Sequence, residues 1–446
     1  MSRKSRALQG AISVPGDKSI SHRALILGAL AEGRTEINGL LKSEDILCTV
    51  QALQSLGVNI RKENGKWSVI GAGLGGFVQP DRELDFGNSG TGARLMMGVI
   101  AGHALRATFT GDASLRKRPM GRVLDPLKKM GLEVQEKGRT TLPLTLVGTS
   151  YLVPVSYSLP VPSAQVKSAI LLAGLLAYGK TSVIEKEQTR DHTERMLSYL
   201  GAAISQSATP DGRSIAVEGR TSFRGKPIAV PGDPSSAAFL AAAGVLCEGS
   251  SLLIRDVLVN PTRTGFFETL AEMGGEISFE NEREVNGEPI ADLRVASGAL
   301  KGVRVPAERA PRMIDEYPIL AVLAAFAEGT TIMEGLAELR VKESDRLAAI
   351  VAGLSASGVT AEAKGDALAV TGASRVRGGQ TIATHMDHRI AMSFLILGLA
   401  SEKPVTVDDA SMIATSFPDF PALLQKLGAH LEDSGHTGSA AEAART

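Results

Sequence analysis

Cysteine is nearly missing from this sequence. Cys48 and Cys247 are the two present in 446 residues, and neither has a CxxC partner or a neighbouring histidine, which argues against a disulfide framework and a thiolate zinc site. Packed thiols in a reducing compartment are the expectation. A surplus of one charge is missing too. Lys plus Arg and Asp plus Glu both number 48, so the chain lacks the global basic face of a nucleic-acid or membrane-surface binder, and any anion site must be local. No apolar run reaches the roughly 18 residues of a membrane span. The basic opening MSRKSRALQG leads into no apolar signal segment, which points to a cytoplasmic address.

What the sequence does have is bulk and repetition. With 43% hydrophobic residues it can fill two or three domains of about 150 residues each. Three segments open on nearly one phrase: VPGDKSISHRALILGALAEG at Val14, VPSAQVKSAILLAGLLAYG at Val161 and VPGDPSSAAFLAAAGVLCEG at Val230. Looser copies start at Phe86, Met313 and His385, so successive starts lie 72, 75, 69, 83 and 72 residues apart. A period near 70 marks a repeated module. Each copy is a polar turn feeding a helix that is apolar on every side, then a strand-like stretch such as RTEING, TSVIE or TTIMEG. An amphipathic helix closed by glycine follows, as in GRVLDPLKKMGLEV and TERMLSYLGAAI.

A helix apolar all round has to be buried, so six such α/β modules are expected to turn those helices inward, in two groups of three. The matching phrases at Val14 and Val230 put the crossovers at Pro15 and Pro231. One domain is then 16–230 and the other 1–15 plus 231–432. Residues 433–446, small and polar, form a disordered tail.

Polar residues collect where the apolar helices begin. Pro15-Gly16-Asp17-Lys18-Ser19 is a glycine-containing turn into a helix, where free backbone N–H groups favour an anion and Lys18, Ser19 and Arg23 add donors. This turn lacks the GxxxxGK[ST] spacing of a triphosphate-binding loop. Gly87-Asn88-Ser89-Gly90-Thr91-Gly92 permits close approach of a ligand to the backbone. Arg116-Lys117-Arg118 reads either as an anion contact or as a solvated basic face. Ser163-Ala164-Gln165 occupies the slot of Asp17-Lys18-Ser19. In the second half, Lys342, Glu343 and Arg346 fall on one side of a helix start, with a salt-bridged helix as the simpler alternative. His385-Met386-Asp387-His388-Arg389 lacks metal-site spacing, and Arg389 would oppose a cation. Asp315 alone reads as an N-cap or an Asx turn. Superimposing the repeats, however, brings Lys18, Gly90, Gln165, Asp315 and Arg389 to the same helix-start edge. A site between the halves, rich in cations and poor in acids, suits a pair of small polyanions.

GNSGTGAR, RPMGR and RVKESDRL resemble signatures of the 5-enolpyruvylshikimate-3-phosphate synthases, and VPGDKSISHRA, SAQVKSA, MIDEYPI, ATHMDHRIAMS and ATSFPDF stand in that family's order. The likeness runs from about Val14 to Leu431 and is closest in wording to the class II bacterial forms. It implies a two-domain inside-out α/β barrel of six βαβαββ-type repeats, three per domain around buried parallel helices. It implies transfer of the enolpyruvyl group of phosphoenolpyruvate to the 5-hydroxyl of shikimate 3-phosphate, with release of phosphate, no cofactor, and glyphosate as an inhibitor. A monomer is expected, because the two halves already cover one another.

By position, the resemblance assigns shikimate 3-phosphate to Lys18, Ser19, Arg23, Ser163, Ala164, Gln165, Arg190, Asp315 and Lys342. Phosphoenolpyruvate falls to Lys18, Gly90, Arg118, Gln165, Arg346 and Arg389, and proton transfer to Asp315 and Glu343 with a share for Lys18. Thr415 stands where some relatives carry Lys. The UDP-N-acetylglucosamine enolpyruvyl transferases, similar in fold and reaction type, place a Cys in the loop matching Asp112–Pro119, and this chain has none there. A non-catalytic anion-binding module of the same fold would not need Asp315 and Glu343.

Overall fold

The structure, a computed structural model, describes residues 1–63 and 65–432; the tail expected at 433–446 lies outside the described residues. Six helices without a polar stripe are buried along nearly their whole length: Lys18–Leu30, Gly90–Ala101, Ala164–Gly174, Pro234–Leu246, Tyr317–Ala325 and His388–Gly398. A buried helix start cannot leave its free N–H groups to water. Asp17, Ser89, Ser163, Asp233 and Asp387 each accept one with their side chain. The Tyr317 helix is the exception, since no side chain caps it. Asp315 is therefore not an N-cap, and its carboxylate is engaged elsewhere.

Sheets of one repeated scheme cover these helices. Glu32–Asn38 pairs in parallel with Ile228–Ala229 and antiparallel with Lys66–Ala72, which pairs in turn with Asn59–Glu63. The same order builds sheets on Arg106–Thr110, Lys180–Glu185, Ser251–Leu258 and Thr330–Met333, giving five four-stranded sheets among the described residues. The parallel partner of Ser251–Leu258 is the N-terminal strand Gln9–Ser13. Around the His388 helix the parallel pair Thr381–Ile382 and Thr406–Val407 continues, through an antiparallel bridge between Ser2 and Val405, into Ser2–Arg3. There the chain turns into the 3-10 helix Ser411–Thr415 and the helix Phe420–Lys426, and its last strand, His430–Leu431, pairs with Ser2–Arg3. The last copy thus keeps the strand order of the module in much shorter strands, one of them supplied by the N-terminus.

Helix and sheet meet closely at glycine. A Cβ on Gly71, Gly148 or Gly219 would stand 2.0 Å from the carbonyl oxygen of Ala31, Ile100 or Ala177, and one on Gly372 would stand 1.7 Å from that of Ala327. Any side chain there would push the sheet off its helix.

Buried apolar side chains form two clusters, one spanning Ile20 to Val230 with Leu258, the other joining Leu8–Val14 to Ala237–Ala429. The architecture is two-domain α/β. Between the clusters two like turns lie back to back: Asp17 N–H donates to the Pro231 carbonyl and Asp233 N–H to that of Pro15, both at 2.8 Å. One GxxxxGKT spacing does occur, from Gly174 to Thr181. It runs out of a helix C-terminus into the strand Lys180–Glu185, the reverse of the strand-to-helix order that aims N–H groups at a phosphate. Among the described residues no helix is long and apolar enough to cross a membrane.

Candidate active site

Every one of the six buried helices begins at the same cavity. Lys18, Gly90, Gln165, Ser235, Asp315 and Arg389, each from the start of a different helix, line a space of about 470 Å³. Helix starts bring free N–H groups and the positive end of the helix dipole, so their convergence favours anions before any cationic side chain is counted. Ser19, Arg23, Arg118, Ser163, Ala164, Arg190, Lys342 and Glu343 also line the cavity. Arg346 is not among the lining residues. It is fully buried and stands one layer behind the wall.

Cations enclose Asp315. Its carboxylate lies 2.8 Å from Arg190 Nη2, 3.3 Å from Lys342 Nζ and 3.3 Å from Arg346 Nη1, and its carbonyl oxygen accepts from Arg389 Nη1 at 3.1 Å. Burial pushes the carboxyl pKa up, but Lys342, Arg389, Arg190 and Arg346 together hold it well below the usual carboxylate range. Glu343 obeys the same balance. Burial opposes its charge, and Arg346 at 2.6 Å with Arg118 at 3.9 Å overcomes that. From behind, Arg346 also takes Asp387 at 2.8 Å, so one buried guanidinium orders three acids. Lys342 and Glu343 precede the helix Arg346–Ala356, which Asp345 caps by accepting the Ala348 N–H. This corrects the expectation of a helix start carrying all three residues, and it leaves Lys342 and Glu343 on irregular backbone facing the cavity.

The opposite wall is built before residue 231. Lys18 Nζ lies 3.1 Å from Asp45 Oδ2. Arg23 is buried, donating to Ser168 Oγ and Thr193 Oγ1 at 2.7 Å and back to the Ser19 carbonyl at 3.0 Å. Both ends of the Gln165 amide are fixed, Oε1 by Arg94 and Nε2 by Thr91 Oγ1, each at 2.9 Å. In the basic cluster Arg116 and Lys117 are exposed, whereas Arg118 turns inward to Asn88 Oδ1 at 2.6 Å and Ser114 Oγ at 3.1 Å. A Cβ on Gly90 would stand 2.8 Å from Arg94 Nη1 and 3.3 Å from Arg118 Nη1. Glycine therefore lets two guanidinium groups close over this turn. Thr415 is buried and gives its hydroxyl to the Met412 carbonyl at 2.7 Å, adding nothing to the cavity wall.

The walls are tied across the cavity by Arg190–Asp315, Arg118–Glu343 and Arg122–Glu338, the last at 3.1 Å. Acids of one wall thus occupy cations of the other. Such an arrangement can receive two phosphorylated anions in exchange for those carboxylates, and it keeps two acids beside them for proton transfer.

Comparison with known proteins agrees with this chemistry. The family model described as EPSP synthase (3-phosphoshikimate 1-carboxyvinyltransferase) matches residues 2–424. The chain belongs to the EPSP synthase family. A relative from Cereibacter sphaeroides named 3-phosphoshikimate 1-carboxyvinyltransferase is 59% identical over 96% of this chain and 97% of its own. One of the same name from Methylorubrum extorquens is 57% identical over 96% of this chain and 95% of its own. In structure, the EPSP synthase of Acinetobacter baumannii superimposes with a TM-score of 0.86 at 43% identity, over 97% of this chain and 98% of that one.

Within this family frame, several residues on or beside the cavity escaped sequence reasoning. Arg263 is buried between the two crossover aspartates, reaching Asp17 Oδ2 at 2.8 Å and Asp233 Oδ1 at 3.1 Å. The repeated PGD phrase marked both aspartates, but nothing around Asn260-Pro261-Thr262 announces their partner. Asp45 is a further lining acid. Burial pushes its carboxyl up against the pull of Lys18. Arg94 stood in plain view in GNSGTGAR, where the glycines drew the attention.

Proposed function

We propose that this chain transfers the enolpyruvyl group of phosphoenolpyruvate to the 5-hydroxyl of shikimate 3-phosphate, releasing phosphate. Asp315 and Glu343, two ionised acids set among cations at the convergence of six helix starts, carry this reading. Shikimate 3-phosphate engages Lys18, Ser19, Arg23, Ser163, Ala164, Gln165, Arg190 and Lys342 beside Asp315. Phosphoenolpyruvate engages Lys18, the Gly90 turn, Arg118, Gln165 and Arg389. Arg346 reaches it only if Glu343 or Asp315 gives way; otherwise it acts on the acids.

The 5-hydroxyl attacks C2 of phosphoenolpyruvate while C3 gains a proton, and the tetrahedral ketal phosphate then expels phosphate. Asp315 takes the hydroxyl proton and passes it to the departing phosphate; Glu343, having taken up a proton from solvent once the substrates raise its pKa, gives it to C3 and later takes it back, with Lys18 sharing that work. In the ligand-free state both carboxylates are too well stabilised to be strong bases. Substrate phosphates that draw Arg190 and Lys342 from Asp315, and Arg118 and Lys18 from Glu343, take away part of that stabilisation while Arg346 stays with both acids, and so raise both pKa values. Proton transfer is thereby switched on by the substrates themselves.

The finer architecture belongs to the same proposal: six βαβαββ-type repeats in an inside-out α/β barrel, divided into 16–230 and 1–15 plus 231–432. The two apolar clusters and the repeated sheet scheme support it. The chain works as a cytoplasmic monomer, and glyphosate, an anion that fits the phosphoenolpyruvate contacts, inhibits it because Gly90 leaves room. Phosphate release by the purified protein tests the reading, with controls lacking either substrate or offering UDP-N-acetylglucosamine. Release that requires both phosphoenolpyruvate and shikimate 3-phosphate supports it. Release with the nucleotide sugar alone, or none at all, rejects it.

A further inference from the structure

We infer that His22 is a positioning residue, a one-directional hydrogen-bond bridge that sets the Gly90 turn against Lys18 and Asp45; the inference rests on the enolpyruvyl-transfer reading of the cavity. His22 lies one turn into the Lys18 helix and is completely buried. Nδ1 is 2.9 Å from Thr49 Oγ1 and Nε2 is 3.1 Å from Ser89 Oγ. Thr49 sits on the helix Glu44–Ser55, the helix that also presents Asp45 to Lys18. Ser89 caps the Gly90 helix by accepting the Gly92 N–H at 3.1 Å. One imidazole therefore touches all three elements of this wall.

Donor counting decides which nitrogen carries the proton. Ser89 Oγ already accepts a backbone N–H, so its own buried proton needs an acceptor, and His22 Nε2 is the one in reach. Nδ1 must then hold the ring proton and donate it to Thr49 Oγ1, whose hydroxyl passes on to the Asp45 carbonyl at 3.4 Å. Every donor in the chain from Gly92 to Asp45 finds an acceptor. The opposite tautomer strands the Ser89 hydroxyl proton, and an imidazolium would offer donors on both sides. Burial, reinforced by Lys18 and Arg23 and only weakly countered by Asp17, presses the ring pKa down to about 3. The bridge is neutral and fixed while the cations around it exchange partners.

Two measurements on the full chain test this. Nitrogen-15 histidine NMR should show His22 with Nδ1 protonated and Nε2 bare, unchanged between about pH 5.5 and 8.5, where a free imidazole titrates. An Nε2-protonated or titrating ring overturns the inference. This measurement does not require turnover, so it stands even where wild-type protein releases no phosphate and the functional reading fails. Kinetically, His22→Leu should raise the KM for phosphoenolpyruvate about tenfold and that for shikimate 3-phosphate less than about twofold. His22→Gln, whose amide oxygen reaches the place of Nε2, should recover most of that loss. Thr49→Val, nearly isosteric and therefore expected to fold, should give the same split more mildly. Equal rises in both KM values, or no rise in Thr49→Val and His22→Leu alike, would reduce His22 to packing and sink the positioning role.

Discussion

Asp315 and Glu343 are partly exposed to the cavity and ionised, because each meets two or more cations at close range. Their placement makes the division of labour testable one side chain at a time. Asp315→Asn keeps the volume and most hydrogen bonds but removes the base. Turnover should fall by about 10²- to 10⁴-fold with a much smaller change in either KM, read from steady-state phosphate release. Wild-type kcat in that variant would take Asp315 out of the chemistry. Gly90→Ala asks a different question. The new methyl crowds the ends of two flexible side chains, Arg94 and Arg118, and meets Leu115 Cδ1 at an ordinary 3.7 Å, so the fold should survive while both guanidinium groups move. The KM for phosphoenolpyruvate should rise and inhibition by glyphosate should weaken more, and an unchanged ratio of the two would show that Gly90 does not border the anion.

At the scale of elements, the six buried helices were legible because a segment apolar on every side admits one solution, burial, and the recurring PGD and GNS phrases read as their starts. The sheets were less legible, since two of their parallel pairings are remote: Ile228–Ala229 joins Glu32–Asn38 across nearly the whole first cluster and Gln9–Ser13 joins Ser251–Leu258, and no local pattern announces either. Nor did sequence show that helix and sheet touch through a glycine in four of the units. Gly148→Ala should therefore destabilise the protein by about 1–3 kcal/mol without changing the KM values, checked by urea unfolding beside kinetics.

The crossover turns allow a signed pH prediction. Asp233 is buried and close to Asp17, which together raise its carboxyl to about 6 from 3.8 despite Arg263. In the folded state it holds its proton longer than in the unfolded chain, so ionising it removes stability as pH climbs from about 4 to about 6, with no further loss above. Asp233→Asn retains a good cap and has nothing to ionise. It should gain stability relative to wild type across that window and keep a constant difference at higher pH. A difference that shrinks as pH rises would contradict the raised carboxyl.

For the whole molecule, the decisive geometry is the convergence of helix starts from both clusters on one cavity, and the repeat alignment anticipated it for Lys18, Gly90, Gln165, Asp315 and Arg389. It could not anticipate Arg346 behind the wall, because Asp315, Glu343 and Asp387 come together around it only in three dimensions. The same geometry implies closure. Without substrates the walls are joined by carboxylate–cation pairs such as Arg122–Glu338, about half exposed on each side, and pairs of that kind contribute only about 0–1 kcal/mol. A bound phosphate carries nearly twice the charge of the carboxylate it displaces and can bridge cations from both walls. Ligand-free protein should therefore sample open forms that grow as salt screens the pairs, while the doubly liganded protein stays shut. Small-angle scattering should show the radius of gyration falling when phosphoenolpyruvate or glyphosate is added with shikimate 3-phosphate, and rising with salt only in the ligand-free sample. Curves that superimpose under all conditions would mean that the cavity is preformed, and that the exchange of partners around Asp315 and Glu343 proceeds without any movement of the walls.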